Sequence, residues 1–285
     1  MTLPLLSVVM PTRNRAGMVC EAIESALRQR EGQVEVIVID DASTDNTAGL
    51  LAKRFGSRIQ YLRHSERRGA GASRNTGIPA ARGHLIAFLD DDDLWLPGKL
   101  DAELSVFEQF PDAEAVVSDS LTFVQGVAAE QSFFARNGLL AATEGQPRLT
   151  SECGWLWTNS LNGVAMCSIT LRRSVLDRLE ERWFPEDLIT CEDWEFEMRV
   201  YQRCEVVALP QVYSYVRRLD DGVRIGRAAP GQPPTREQQI GLLRDRLKVM
   251  ERAHWLSSLS GDLAAELERY RGETRCQLIQ LGVEL

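Results

Sequence analysis

The run Ile86-Ala87-Phe88-Leu89 drives straight into four carboxylates, Asp90-Asp91-Asp92-Asp93, with Leu94-Trp95 just beyond. Four adjacent like charges repel one another unless a cation sits among them. Hard divalent ions such as Mg²⁺ and Mn²⁺ take carboxylate and phosphate oxygens together, so the run reads as a place for a metal and a diphosphate. A solvated acidic turn is the competing reading. The apolar run before the acids and the Trp-Leu-Pro after them argue against it, because a casual surface turn is seldom wedged between buried segments. A second acidic pair, Glu192-Asp193, opens a candidate helix beside Trp194 and Phe196. A carboxylate in apolar surroundings acquires a raised pKa suited to taking a proton, although Asp at a helix start is also a common N-cap. His64, His84 and His254 are scattered, which leaves little for a histidine metal site or a Ser-His-Asp triad.

These acids need a scaffold, and strand and helix patterns alternate through the first half. Residues 6–10, 34–39, 59–62 and 85–89 read as strands. Residues 16–28, with Val19, Ile23, Ala26 and Leu27 on one face, read as a helix, as do 71–81 and a segment ending near Phe55. Alternation at this spacing implies an α/β fold with a mostly parallel central sheet and helices on both faces. Ligands bind such sheets at the C-terminal ends of the strands, where Pro11-Thr12-Arg13-Asn14, Asp40-Asp41-Ala42-Ser43 and the acid run all fall. Gly69-Ala70-Gly71-Ala72-Ser73-Arg74-Asn75-Thr76-Gly77 lies between the last two. Further on, a helix is expected from Pro97 to about Phe107, strands at 115–118, 164–172, 206–209 and 212–216, and a helix over 191–203. Residues 125–163 read only as a variable insert in which Trp155 and Trp157 either stack on a sugar or are buried. Trp95 reads as core packing behind the acids.

The Gly-, Pro- and Arg-rich stretch 222–235 is expected to be a linker or mobile loop. Apolar stripes at helical spacing (Leu243, Leu247, Met250; then Leu259, Leu263, Leu267, Tyr270) predict a C-terminal helical hairpin over 236–285. It should pack on the sheet domain, with a dimerisation arm as the alternative. The length of 285 residues, 44% hydrophobic and 26% charged, fits a folded chain of one large or two small domains. A formal charge of −8 argues against a nucleic-acid groove. No apolar stretch approaches the ~20 residues needed to span a bilayer, no signal-peptide pattern opens the chain, and the six cysteines lack paired short spacing. The expectation is a cytoplasmic protein with reduced thiols.

The segments SVVMPTRNR, VIVIDDASTDNT, RRGAGASRNTG and IAFLDDDDLW, in that order, resemble the successive signatures of family 2 glycosyltransferases with the GT-A fold. The resemblance is close over about the first 120 residues and extends less tightly to about residue 218. It implies a catalytic domain over 1–221, with a nucleotide-sugar half (1–120) and an acceptor half (121–221). It also implies inverting transfer of a sugar from a nucleotide-diphosphate donor to a glycan, lipid-linked, peptide or small-molecule hydroxyl. Carried over by position, Pro11, Thr12, Arg13, Asn14 and Asp41 would hold the nucleotide, Arg74 and Asn75 would brace the donor pocket, and Asp193 would be the general base. The Asp-x-Asp motif falls on Asp90-Asp91-Asp92, with Asp90 and Asp91 binding the donor, Asp91 toward the ribose, and Asp92 holding Mn²⁺ or Mg²⁺. A carboxylate such as Asp41 suits the imide of uracil or thymine, hence a UDP- or dTDP-sugar. Where many relatives carry a histidine, Arg217-Arg218 are followed by Leu219-Asp220-Asp221, so either an Asp takes that place or Asp92 and the phosphates hold the metal alone. The Gln-x-x-Arg-Trp signature of processive synthases is missing, which implies transfer of a single sugar. Arg217, Arg218, Arg224 and Arg227 suit either a diphosphate or solvent. A non-catalytic nucleotide-sugar-binding protein and a sugar nucleotidyltransferase remain as alternatives.

Overall fold

The computed structural model describes residues 5–124, 126–150, 164–179, 183–218, 235–252 and 261–284. Trp155, Trp157, Asp220, Asp221, Arg224, Arg227, Leu259 and nearly all of the expected linker lie outside them. Three strands, β1 (Leu6–Thr12), β2 (Val34–Asp40) and β4 (Leu85–Phe88), are almost wholly buried, as continuous apolar runs in a doubly covered parallel sheet must be. With β3 (Gln60–Arg63) they form an all-parallel half-sheet in the order β3-β2-β1-β4. Alternate residues face opposite layers. Val8, Met10, Val36, Val38, Ala87 and Leu89 pack with α1 (Ala16–Leu27), α2 (Thr47–Arg54) and α4 (Lys99–Gln109). Val9, Ile37, Ile39, Ile86 and Phe88 face Ile78, α7 (Arg173–Arg178) and α8 (Glu192–Arg203), with α5 (Phe133–Arg136) and α6 (Leu139–Thr143) on the same layer. Phe88, Phe184 and Phe196 form one aromatic cluster there.

The register does the positioning. Thr12 pairs with Asp40, and Val9 pairs with Phe88, so the residues that follow β1, β2 and β4 emerge along one edge. The acid run leaves β4 after Leu89 and is caught again directly after Asp93. There β5 (Leu94–Trp95) pairs antiparallel with Ser214 and Tyr215. Trp95 is buried, as expected, and its indole N–H donates to the Cys167 carbonyl at 2.8 Å.

The other half of the sheet is mixed. β9 (Ile169–Arg172) runs antiparallel between β4 and β6 (Ala115–Val124), and β6 runs parallel to β10 (Val206–Arg218). Short β7 (Val127–Ala128) and β8 (Arg148–Leu149) lie on the side. The two strands expected at 206–209 and 212–216 are one, broken in register between Leu209 and Ser214. Pro210 lacks a ladder donor, so the strand bulges there rather than ending. The expected strand over 164–172 starts only at Ile169, because Met166–Ser168 form a 3₁₀ turn. Residues 70–77 alone are α3; Pro79 follows it in a 3₁₀ turn.

At the C-terminus α9 (Arg236–Arg252) and α10 (Gly261–Gln280) pack through Leu243, Leu247 and Leu278. The two expected helices are present and packed together, and α9 lies on the sheet domain through α8 and the loop before it. Val249 and Met250 bury against Leu188, Trp194 and Met198.

Candidate functional site

A cavity of about 650 Å³ opens along the strand-end edge. Pro11, Thr12, Arg13, Asp41, Arg74, Asp90, Asp91, Asp92 and Asp193 line it; Asn14 and Asn75 do not. Both asparagines hold its walls instead. Asn14, in the left-handed region (φ 54°), accepts from the Thr44 and Asp45 amides at 2.6 and 3.3 Å and so locks the loop after β1 to the loop after β2. Asn75 donates to the Phe184 carbonyl at 2.8 Å and accepts from its amide at 3.0 Å, fixing the segment that leads toward α8.

At one end, Asp41 is held by the protein itself. It accepts from the Arg68 amide at 2.7 Å, the Gly69 amide at 2.8 Å and His64 Nδ1 at 2.9 Å. Gly69 has φ +91°, a region open chiefly to glycine. That conformation aims its N–H at Asp41 and starts α3. Two residues on, a Cβ on Gly71 would stand 2.9 Å from the Pro185 carbonyl oxygen and 3.3 Å from Glu192 Cγ. The Gly-Ala-Gly run is thus what lets α3 approach the acidic start of α8.

The acid run splits in two directions. Asp91 turns toward β1, accepting from the Thr12 hydroxyl at 2.7 Å and Arg15 Nη1 at 2.8 Å. Arg15 also pairs with Asp92 at 2.9 Å. Asp90, Asp92 and Asp93 converge, with one carboxylate oxygen of each within 4.8 Å of the others. The sequence reading placed Asp90 on the donor and assigned Asp93 no role, yet both stand with Asp92. β10 grips the far end: the Arg217 amide donates to Asp93 at 3.1 Å and its Nε to the Asp92 carbonyl.

Burial, then Asp92 and Asp90, push the Asp93 carboxyl well above the ordinary carboxylate range. Burial, opposed by Arg15 and reinforced by Asp92, pushes Asp91 up to about 6. Three convergent carboxylates with this much mutual repulsion form an all-oxygen donor set that fits a hard divalent cation. The residues present therefore fit Mn²⁺ or Mg²⁺.

Arg74 ties the two acidic clusters together. This almost fully buried guanidinium pairs with Asp90 at 2.7 Å and Glu192 at 2.8 Å, and lies 5.2 Å from the Phe184 ring centre. Burial, then Asp193, raises Glu192 to about 7 against the pull of Arg74. Burial likewise raises Asp193, against Arg74 and the Trp194 amide it accepts from at 2.8 Å. Asp193 is not the N-cap. Cys191 occupies that position with φ 65°, and Asp193 sits in the first turn of α8.

Arg15, His64 and Asp93 were passed over in the sequence, as were Leu242 and Arg246, which bring α9 to the cavity wall. Arg15 lies within a quoted signature and Asp93 in the acid run itself, so both had a signal. His64 and the α9 pair had none, because only the fold brings them near.

Comparison with known proteins agrees with this architecture. A sequence model described as "Glycosyl transferase family 2" matches residues 7–178, more than half of the chain. The chain is 38% identical over 102 residues to the Escherichia coli UDP-Glc:alpha-D-GlcNAc-diphosphoundecaprenol beta-1,3-glucosyltransferase WfgD, covering 36% of this chain and 40% of that one. It is 43% identical over 97 residues to the succinoglycan biosynthesis protein ExoO of Rhizobium meliloti, covering 34% and 28%. The matched region thus spans well under half the length of these relatives. Among solved structures, S. aureus TarS 1-349 in complex with UDP superposes with TM-score 0.64 at 20% identity, covering 98% of this chain and 75% of that one. The mannosyltransferase PcManGT from Pyrobaculum calidifontis, in complex with GDP-Man and Mn2+, gives 0.60 at 16%, covering 100% and 77%. These likenesses establish a common GT-A fold.

Proposed function

The chain belongs to glycosyl transferase family 2, and from that premise we propose that it moves one sugar from a UDP- or dTDP-sugar to an acceptor hydroxyl, with inversion. The observation that carries this reading is the single cavity shared by Asp41, the convergent Asp90-Asp92-Asp93 set and the Glu192-Asp193 pair. Nucleotide and nucleotide-sugar complexes of fold neighbours support it. The donor's base lies at Pro11 and Asp41, with Thr12 and Arg13 lining the path from there to the acids. Asp92, with Asp90 and Asp93, would hold Mn²⁺ or Mg²⁺, which when bound offsets the charge of the departing nucleoside diphosphate. Arg74 holds both acidic clusters in place and favours their ionised forms. Asp193 takes the acceptor's proton. The named activity of the E. coli relative makes a lipid-diphosphate-linked sugar the first acceptor to test. Among the described residues no helix is long and apolar enough to cross a membrane.

A nucleotidyltransferase reading is less well supported. It would use residues 12–17 as a phosphate cradle, whereas Thr12 and Arg15 are committed to Asp91. The test is a thermal-shift screen of UDP, dTDP and their sugars with and without Mn²⁺. The expected result is the largest shift for a UDP or dTDP species with metal; equal shifts with and without metal would sink the proposal.

The pH profile gives a second expectation. Only an ionised carboxylate can take a proton, and burial has raised the Glu192-Asp193 pair, with Glu192 at about 7. Activity should therefore begin to fall, as pH drops, above the ordinary carboxylate value of about 4, because burial has raised the Asp193 carboxyl. Arg74 opposes this rise, so Arg74→Gln should move the acid limb of kcat/KM upward. An acid limb near pH 4, unmoved by that substitution, contradicts the assignment.

A further inference from the structure

The loop that feeds α8 is held from the C-terminal helical region. Asp245 of α9 is buried, and one of its carboxylate oxygens, Oδ2, accepts three hydrogen bonds. They come from the Ile189 amide at 3.1 Å, the Thr190 amide at 3.0 Å and the Thr190 hydroxyl at 3.1 Å. The next residue, Cys191, is a non-glycine in the left-handed region, and its carbonyl accepts the Glu195 amide that begins α8. Such a conformation persists only where its surroundings over-determine it. Here α9 supplies those surroundings on both sides. Arg252 pairs with Asp187 before the kink, and Val249 and Met250 bury against Trp194 after it. Glu192 and Asp193 follow the kink directly, so a rotation there would carry their carboxylates away from Arg74.

We propose that Asp245 is a positioning residue for the base on α8: its Oδ2 clamps residues 189–190 and so sets the direction in which Asp193 enters the cavity. The first C-terminal helix, α9, is therefore a working part of the active site. The inference about catalysis rests on the glycosyltransferase reading; the clamp itself does not. Because all three bonds meet one oxygen, Asp245→Asn can keep them through its amide oxygen, whereas Asp245→Ala loses all three. Asp245 is not among the residues that line the cavity, so donor binding should survive either change.

The experiment compares the 285-residue chain with its Asp245→Ala, Asp245→Asn and milder Thr190→Val variants, the last of which removes one bond. Hydrogen exchange of the 189–195 amides, read without substrate, should rise at least tenfold in Asp245→Ala and stay within threefold in Asp245→Asn. Steady-state release of UDP or dTDP from the sugar nucleotide picked out by the thermal screen should show kcat at least tenfold lower in Asp245→Ala. Its donor KM should stay within twofold, Asp245→Asn should restore kcat, and Thr190→Val should fall between. Unchanged exchange in Asp245→Ala overturns the clamp, and so does an Asp245→Asn variant as slow as Asp245→Ala. If exchange behaves as expected while the wild type turns over no nucleotide sugar, the catalytic half of the inference is wrong through the proposed function and the clamp stands.

Discussion

Replacing Asp193 by Asn is expected to slow sugar transfer by about 10²–10⁴-fold, the range over which a positioned general base contributes, while Mn²⁺-dependent binding of UDP stays intact. Asn is isosteric, and its amide oxygen can still accept the Trp194 N–H that Asp193 holds at 2.8 Å, so α8 should keep its first turn. What disappears is the ability to take a proton. Glu192 is the natural rival, being adjacent and raised to about 7. Its carboxylate is engaged by Arg74 at 2.8 Å, whereas Asp193 Oδ1 accepts the Trp194 amide at 2.8 Å. Glu192→Gln should therefore cost less in kcat than Asp193→Asn. The measurement is nucleoside diphosphate release at saturating donor, with thermal shift as the binding control. A larger loss in Glu192→Gln would hand the base role to that residue, and loss of UDP binding in Asp193→Asn would turn a catalytic effect into a structural one.

The second large effect is expected at Asp92. Asp92→Asn should abolish the metal-dependent part of the nucleotide thermal shift, which corresponds to about 2.7 kcal/mol for a ligand at a hundredfold excess over Kd. The metal-free protein should respond in the opposite sense. Burial has raised Asp91 and Asp93, and Asp92 adds to both shifts. A carboxyl raised on folding contributes stability below its unfolded pKa and loses it as pH climbs through the folded value. Above about pH 6 Asp91 therefore weakens the fold, and Asp93, raised by the same burial, adds to the loss as it ionises. Removing the Asp92 charge relieves them, while Arg15 keeps Asp91 as a partner at 2.8 Å. With EDTA at pH 7–8, Asp92→Asn should melt no lower than wild type and should gain most at the higher pH. A variant that retains the Mn²⁺ shift, or that melts far below wild type with chelator at pH 8, would contradict a cation site built on repelling carboxylates. A site that costs stability when empty is one retained for binding rather than for folding.

Much of this was readable in one dimension. Strands buried on both faces must be continuous apolar runs, so β1, β2 and β4 and the edge where their ends meet followed from hydrophobic pattern alone. The glycines of 69–77 were visible, but not the reason for them, since the Pro185 carbonyl and Glu192 that crowd Gly71 are more than a hundred residues away. The bulge in β10 escaped because Pro210 ordinarily ends a strand. It does not here, since β6 supports the pairing on both sides of the break.

Residue order alone carried the acidic groups: a block of carboxylates after one strand, an acidic pair at a helix start, and an arginine in between. It also determined the sheet half that presents them, because side-chain alternation and burial are local properties of a strand. Which acids converge followed from folding in three dimensions, with Asp91 turned to Arg15 and Asp93 brought beside Asp90 and Asp92. The same holds for the closure of Arg74 across Asp90 and Glu192 and for the grip of Asp245 on the loop before Asp193. Those outcomes depend on side-chain direction and on contacts between distant segments, which exist only once loop closure has brought the segments together and burial has made each unpaired charge costly.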